Sequence, residues 1–415
     1  MTTAMGAALR RIQLGNALSA FGNGFTVPFL FVYVSQVRGL GAGTAGVVLS
    51  AFAVSALAVL PFTGRAIDRN GPLPVLLAGA VASAVGALGF GLAATAPLVI
   101  AASAVMGAGI AVMQPALATL IVWCSTPATR SRAFATQFFL NNLGLGIGGL
   151  LGGLLADTAR PGSFTLLFSV EAAMFVVLAA VAASVRLPRT ARMEPAPLEH
   201  AAGGLRALLG HRAMVQLCVL GGVLFFACYG QFESGLAAYA VEVTKVSTST
   251  LGIALAANTA AIVVAQFLVL RPVERRRRSR VIAAVGVLWA VAWLVAGVSG
   301  LMGGAHGIAT AMLVSTYALF GLGEAMLSPT LAPLVADMAP QGMVGRYNSA
   351  FALVKQLAMA VGPAVGGLMA GAGMYPQYIL MLVVCSLGIT ALSLRLGRRL
   401  TIHQDAPLSE PVLAA

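Results

Sequence analysis

Residues 107–153 read GAGIAVMQPALATLIVWCSTPATRSRAFATQFFLNNLGLGIGGLLGG, and residues 321–367 read GLGEAMLSPTLAPLVADMAPQGMVGRYNSAFALVKQLAMAVGPAVGG. Set 214 residues apart without a gap, the two stretches agree at 12 of 47 positions. The agreements fall where replacement is hardest. Gly107 meets Gly321, Gly109 meets Gly323, Pro115 meets Pro329 and Arg132 meets Arg346. Gly148, Gly152 and Gly153 meet Gly362, Gly366 and Gly367. At such positions backbone geometry or charge, rather than bulk, sets the residue. Each stretch runs from one apolar segment through a short basic loop into the next. The chain therefore reads as two copies of one unit.

Composition says where that unit resides. The chain has 415 residues, of which 59% are hydrophobic and 9% charged, with a mean hydropathy of +0.93. A soluble domain carries about 25% charged residues, so most of this surface cannot face water. The apolar segments are long and lack the alternation of a membrane β-barrel, which leaves helices. At about 20 residues per span, twelve spans fit: 12–37, 44–63, 75–95, 98–124, 132–156, 163–185, 213–241, 247–270, 281–300, 306–336, 346–371 and 376–396.

The net charge of +13 would suit a nucleic-acid binder if it were clustered on one domain. It alternates between loops instead. One face holds 21 of the 25 basic residues, among them Arg10, Arg11, Arg65, Arg69, Arg130, Arg132 and the Arg271–Arg280 run. The other holds Arg38, Arg160 and Lys245, and Lys355 falls inside a span. The positive-inside rule then puts both termini in the cytoplasm, with anionic lipid as the secondary partner of the basic face and no role for nucleic acid. Cys124, Cys218, Cys228 and Cys385 lie in or at the ends of spans without CxxC spacing, as small core residues rather than metal ligands. The N-terminus is too short for a cleaved signal peptide, so the first span is expected to be retained. The excess of Arg over Lys suggests a bacterial genome.

Several segments carry more than hydrophobicity. Span 1 holds Asn16, Gly22, Asn23, Gly24 and Pro28 before Tyr33, and span 7 holds Tyr229, Gln231 and Glu233 before Tyr239, 206 residues after Tyr33. Polar groups and helix breakers at membrane depth belong where a helix faces protein or a water-filled cavity. Between spans 2 and 3 lies GRAIDRNGPLP, with Gly64, Asp68, Arg69 and Gly71; the matching loop, Arg271–Arg280, keeps Glu274 at the same offset of 206 from Asp68. Such an acid can cap a helix start and pin neighbouring helix ends. Gly144, Gly148, Gly152 and Gly153 in span 5, and Gly362, Pro363, Gly366 and Gly367 in span 11, clear one helix face for close packing. This suggests a seam along which two halves rock. Residues 186–212 form the one long polar interior segment, a cytoplasmic linker with a short surface helix at Leu205–Leu209. It divides a bundle at 1–185 from a bundle at 213–399, and the polar tail at 400–415 is expected to be disordered.

These motifs resemble the major facilitator superfamily over nearly the whole chain. Gly64, Asp68, Arg69 and Gly71 match its loop between spans 2 and 3. The span-5 glycines match the pattern of its proton-coupled drug exporters, with Gly149 in the proline's place, and Gly362–Pro363 keeps that pattern in span 11. The 321–351 run looks like the twelve-span drug:proton antiporter branch. The resemblance implies an all-α polytopic membrane protein, with twelve transmembrane helices in two pseudo-symmetric six-helix bundles and spans 1, 4, 7 and 10 around a central cavity. One departure stands out: where such antiporters carry an Arg in span 4, this chain has Ser103.

Charged groups inside spans cost roughly 2.5–3.5 kcal/mol each, so each needs a use or a partner. Glu171, Glu233, Glu324 and Lys355 qualify. Glu324 lies 13 residues before Asp337 and Lys355 nine after Arg346. At 1.5 Å per residue that is about 20 Å and about 14 Å deep, close enough for an ion pair between spans 10 and 11. A carboxylate that trades a lysine for a proton is a coupling element, because burial disfavours its charged form; a permanent structural salt bridge is the alternative. Glu233 would hold a proton or a cationic solute, while Glu171 sits on a span that the resemblance makes peripheral. Gln137, Asn141 and Asn142 in span 5, Gln114 beside Pro115, Asn23, Tyr229 and Gln231 are candidate hydrogen-bonders to a solute. There is no nucleotide-binding motif, metal cluster or nucleophilic triad, so neither an enzyme nor a cofactor is expected. The expectation is a monomeric secondary transporter that exports small lipophilic compounds against protons, by rocking-bundle alternating access in a bacterial plasma membrane. The alternatives are a proton-coupled or facilitated importer of a small metabolite on the same fold, and a non-transporting receptor or assembly factor.

Overall fold

The computed structural model describes residues 3–185, 187, 208–232, 234–302 and 305–408. Among these, twelve helices are long and apolar enough to cross a membrane. They are α1 (Gly6–Val37), α2 (Gly41–Asn70), α3 (Pro72–Leu92), α4 (Ala96–Trp123), α5 (Pro127–Leu155), α6 (Pro161–Ser184), α7 (Arg212–Phe232), α8 (Thr250–Leu268), α9 (Arg278–Ser299), α10 (His306–Asp337), α11 (Val344–Gly371) and α12 (Tyr375–Gly397). Prolines open α3 to α6 and α12 in the first turn, where a missing N–H costs nothing. Gly71, at φ 83°, ends α2 and passes directly into α3, a backbone state that a side chain would strain.

Large apolar side chains point outward, as a lipid-facing surface requires: Phe62, Leu154 and Leu301 are 75%, 75% and 80% exposed. Polar side chains such as Ser83, Ser103, Gln231 and Thr316 are fully enclosed instead.

The chain forms two compact units. The first comprises Met1–Thr126, Thr136–Ala201 and Ala339–Leu353; the second comprises Pro127–Ala135, Ala202–Met338 and Val354–Ala415. Their internal packing is the same. In the first, α3 packs on α4 and α6, α2 on α4, and α1 on α6. In the second, α9 packs on α10 and α12, α8 on α10, and α7 on α12. These are two pseudo-symmetric six-helix bundles.

The likeness extends to single groups. The Tyr33 hydroxyl donates to the Phe90 carbonyl at 2.6 Å, and the Tyr239 hydroxyl to the Gly297 carbonyl at 3.0 Å. Gly107 lies against the Phe52 carbonyl and Gly321 against that of Asn258, 206 residues after Phe52. Gly109 faces Ser83 as Gly323 faces Trp289, again 206 residues later. In each unit the glycine lets the α4 or α10 backbone approach its neighbour closely.

Three helices are broken. Helix α1 tightens at Val27–Phe29, around Pro28, and widens at Tyr33–Val37. Helix α7 breaks at Cys228, and α10 breaks around Pro329 between Leu327 and Leu331. The break in α7 frees carbonyls that side chains satisfy: Trp293 Nε1 of α9 donates to Ala227 O at 3.1 Å and Gln231 Nε2, from just past the break, to Phe226 O at 3.2 Å. Irregular backbone at membrane depth is stable only with such partners.

The expectation for the tail fails over its first part. Thr401 and Gln404 form a capping box on a short helix, Ile402–Asp405, and Asp405 is buried. Its carboxylate accepts from Ser279 N at 2.8 Å and Ser279 Oγ at 3.0 Å, capping α9. A carboxylate that supplies a helix start with its missing acceptors holds the chain down, whatever the polarity around it. The expected linker and surface helix fall almost wholly outside the described residues.

Candidate functional site

The second unit gathers its intramembrane charges at the breaks of α7 and α10. Glu324 sits on α10 one turn before its break, 6% exposed. Asn258 of α8 donates its Nδ2 to Glu324 Oε1 at 3.2 Å and to Tyr317 O at 3.2 Å. The Tyr229 hydroxyl, just past the break in α7, stands beside the same carboxyl. Lys355 of α11 is half-buried and lies within electrostatic reach of Glu324. It makes no ion pair within 4.0 Å among the described residues; its ammonium rests over the Phe225 ring, 5.3 Å from the centroid. Neutral donors therefore hold the carboxyl while the lysine waits on an aromatic face. That separation leaves the carboxyl able to take a proton or to draw in Lys355 without dismantling its support.

The other candidates are placed as follows. Gln231 is fully buried and engaged: its Nε2 also donates to Gly362 O at 3.1 Å, and its Oε1 accepts from Tyr378 at 3.0 Å. It locks α7 to α11 and α12, leaving its amide little to offer a solute. Asn16 donates to Asn141 Oδ1 at 3.3 Å, joining α1 to α5, and Asn142 donates to Phe138 O of its own helix at 2.9 Å. Asn23 Oδ1 and Gln137 Oε1 are buried without a donor among the described residues, whereas Gln114 is exposed. Glu233 lies outside the described residues. Glu171, completely buried against Gly22, has both carboxyl oxygens without a geometrically sound hydrogen bond, although the Thr26 hydroxyl is beside it. Ser103 Oγ donates to Val48 O at 2.6 Å, a packing contact between α4 and α2 where the resembling exporters carry Arg.

The glycine pattern divides in two. A methyl on Gly144, Gly148 or Gly152 would strike the α1 backbone around Ala17, Phe21 and Phe25. On Gly362 or Gly366 it would strike Gly230, Gln231 or Gly235. Gly153 meets only the Phe29 ring and Gly367 meets nothing, so these two face away from the tight contact. Pro363 lies within α11 beside that contact.

The acid of the loop between α2 and α3 has a defined partner within the first unit. Asp68 accepts from the N–H groups of Gly345 and Arg346 at 2.8 and 3.3 Å, and from Arg346 Nε at 3.3 Å. It thereby caps the start of α11, where unpaired N–H groups and the helix dipole favour an anion. Gly64, one turn earlier, has no side chain because the Arg346 backbone occupies that space, while Arg69 is exposed. In the second unit Glu274 pairs with Arg132 at 3.2 Å, but Arg132 is 66% exposed and no backbone N–H among the described residues donates to Glu274. The repeat-equivalent acids thus meet the repeat-equivalent arginines.

Sequence reasoning missed two groups. Asn258, which orients Glu324, was legible as an amide in an otherwise apolar span. Asp337 accepts from Arg278 at 2.6 Å and pairs also with Arg130, a buried cluster in the second unit. Its members are 59 and 207 residues away in the chain, and no local pattern links them.

The family model described as Major Facilitator Superfamily matches residues 12–363 and 236–411. The chain is 23% identical to the uncharacterized MFS-type transporter YqjV of Bacillus subtilis over 390 residues, covering 92% of this chain and 91% of that one. It is 22% identical to the quinolone resistance protein NorA of Staphylococcus aureus, over 85% of this chain and 86% of that protein. Among solved structures, the E. coli fucose:proton symporter FucP superposes with a TM-score of 0.76 at 14% identity, covering 95% of this chain and 99% of its own. The family model's match to most of the chain, on a duplicated twelve-helix fold, makes this protein a member of the Major Facilitator Superfamily.

Proposed function

We propose that the chain is a proton-coupled secondary transporter of a small organic solute, with Glu324 as the group that exchanges protons and Lys355 as its alternate partner. The observation that carries this reading is the pairing itself. A carboxyl and an ammonium stand within electrostatic reach, deep in the membrane, but are held apart by Asn258, Tyr229 and Phe225. A purely structural pair would gain most from direct contact, since each buried charge costs several kcal/mol (about 2.5–3.5) until neutralised. Proton binding to Glu324 would free Lys355, and deprotonation would draw it back, giving two charge states between which solute binding can choose.

Two directions fit that chemistry. Uptake by proton symport, the alternative offered by the sequence, gains support from the near-complete fold match to a fucose:proton symporter. Export gains support from the name of the quinolone resistance relative and from the scarcity of charged groups. Either way the protein works in the plasma membrane of a bacterium as a single chain, with its basic loops and termini in the cytoplasm.

Proteoliposomes of defined orientation would test this with labelled sugars in one set and lipophilic dyes in another, under a pH gradient of either sign. Accumulation down an inward proton gradient establishes symport, and expulsion under the same gradient establishes antiport. Solute movement indifferent to the gradient would sink the proton-coupled reading.

A further inference from the structure

The Arg-rich end of the second unit has one feature that the transport reading leaves unused. A groove of about 670 Å³ lies between the first turns of α7 and the last turns of α12. Arg212, Arg395, Arg398 and Arg399 line it together. All four are exposed, and none makes an ion pair among the described residues. Arg130 and Arg278, by contrast, converge on Asp337. The positive-inside rule accounts for the number of arginines at this end, but not for four of them sharing one concave wall that has no acid among the described residues.

The rest of the lining is apolar except for Gln216, whose Nε2 donates to Leu392 O at 3.3 Å. Val215, Val219 and Leu392 form the wall beside the guanidinium groups, and Leu209 stands at its edge. Leu209 and Val219 are 63% and 52% exposed, and Val219 is displaced along α7 from Arg212 in the direction of the membrane interior. The groove therefore offers an anion site at the interface and a hydrocarbon-compatible wall leading inward from it.

We propose that this groove binds an anionic phospholipid, its phosphate held by the arginines and its acyl chains laid along Val215, Val219 and Leu392. Guanidinium groups grip phosphate through paired N–H donors, and the cytoplasmic leaflet supplies the anion at high local concentration. Binding relieves the mutual repulsion of four like charges. A free phosphate satisfies the arginines equally well but leaves the apolar wall uncovered, so the amphiphile is the better occupant.

Native mass spectrometry of the purified full chain, released from micelles containing phosphatidylglycerol or phosphatidylcholine, tests the assignment. The wild type is expected to retain phosphatidylglycerol at least tenfold over phosphatidylcholine. Arg395→Gln, Arg398→Gln and Arg399→Gln should each weaken retention about fivefold, the equivalent of one interfacial basic residue. The triple variant should abolish the preference, whereas Arg275→Gln with Arg276→Gln, exposed on the same basic face, should keep it. Size-exclusion profiles confirm folding, and the graded single variants carry the test if the triple variant fails to fold. Equal retention of the two lipids by the wild type, unchanged retention by the single variants, or displacement of the lipid by millimolar inorganic phosphate would overturn the proposal.

Discussion

The two units use the same scaffold and furnish it differently. Glu324 and Lys355 of the second unit stand 214 residues after Ile110 and Asn141, and Tyr229 and Asn258 stand 206 residues after Asn23 and Phe52. The backbone contacts around these positions correspond, with Gly107 against Phe52 and Gly321 against Asn258. The side chains do not. In the second unit an amide and a phenol flank a carboxyl with an ammonium within electrostatic reach, whereas the first joins α1 to α5 through a neutral amide pair, Asn16 to Asn141 at 3.3 Å. Neutral residues hold the fold at this place, which supports the proposed proton-coupling role of the charges in the other copy. Glu171 sharpens the contrast, since that acid of the first unit is buried without the donors that surround Glu324.

The comparison can be broken in several ways. The largest effect is expected from Glu324→Gln, which keeps shape and hydrogen bonding but removes the titrating group. Proton-driven transport should fall by about 100-fold or more, as for other proton-transfer groups, while solute exchange without a gradient survives. Placing the charge in the other copy, as Ile110→Glu, should destabilise the protein by about 2.5–3.5 kcal/mol, read from unfolding in detergent, because no donor set awaits it there. Asn258→Ala leaves both Glu324 Oε1 and the Tyr317 carbonyl short of a donor. It should cost about 1–3 kcal/mol in the same assay, against a near-neutral Phe52→Leu control.

The loops extend the comparison to the ends of the helices. Asp68→Asn weakens a charge-assisted cap on α11 and should cost about 1–2 kcal/mol; Glu274→Gln, facing an exposed arginine, should cost less than about 1 kcal/mol. The last pair is Tyr33→Phe and Tyr239→Phe. Tyr239→Phe loses the bond to Gly297 O and should cost about 1 kcal/mol, whereas Tyr33→Phe loses the bond to Phe90 O and the one accepted from Arg38 Nε and should cost more; equal costs would show that the Arg38 bond adds nothing to the first copy.

The fold was legible because membranes impose coarse rules: long apolar runs must be helices, basic loops mark one face, and the repeat of Gly, Pro and Arg announces duplication. Most span ends could be read to within a few residues, but the expected end of span 2 falls at 63 against Asn70 and that of span 7 at 241 against Phe232. The site was half legible. Glu324 and Lys355 are conspicuous as charges in apolar segments, and helix rise alone brought them to similar depth. Their spacing from one another was not readable, because it depends on Asn258, Tyr229 and Phe225, three side chains on two other helices. Gln231 looked like a solute ligand for the same reason; its chain position does not reveal that a break in α7 calls on its amide. Asp405 was hidden in a polar tail, and only the start of α9 gives it a role.

The most direct test of the central claim is the movement of protons with solute in proteoliposomes loaded with a pH-sensitive dye, comparing the wild type with Glu324→Gln. A sugar or a lipophilic compound added to the wild type should shift internal pH, and the variant should exchange the same compound without that shift. Solute transport by the wild type with no proton movement, or proton movement unchanged in the variant, would contradict the account.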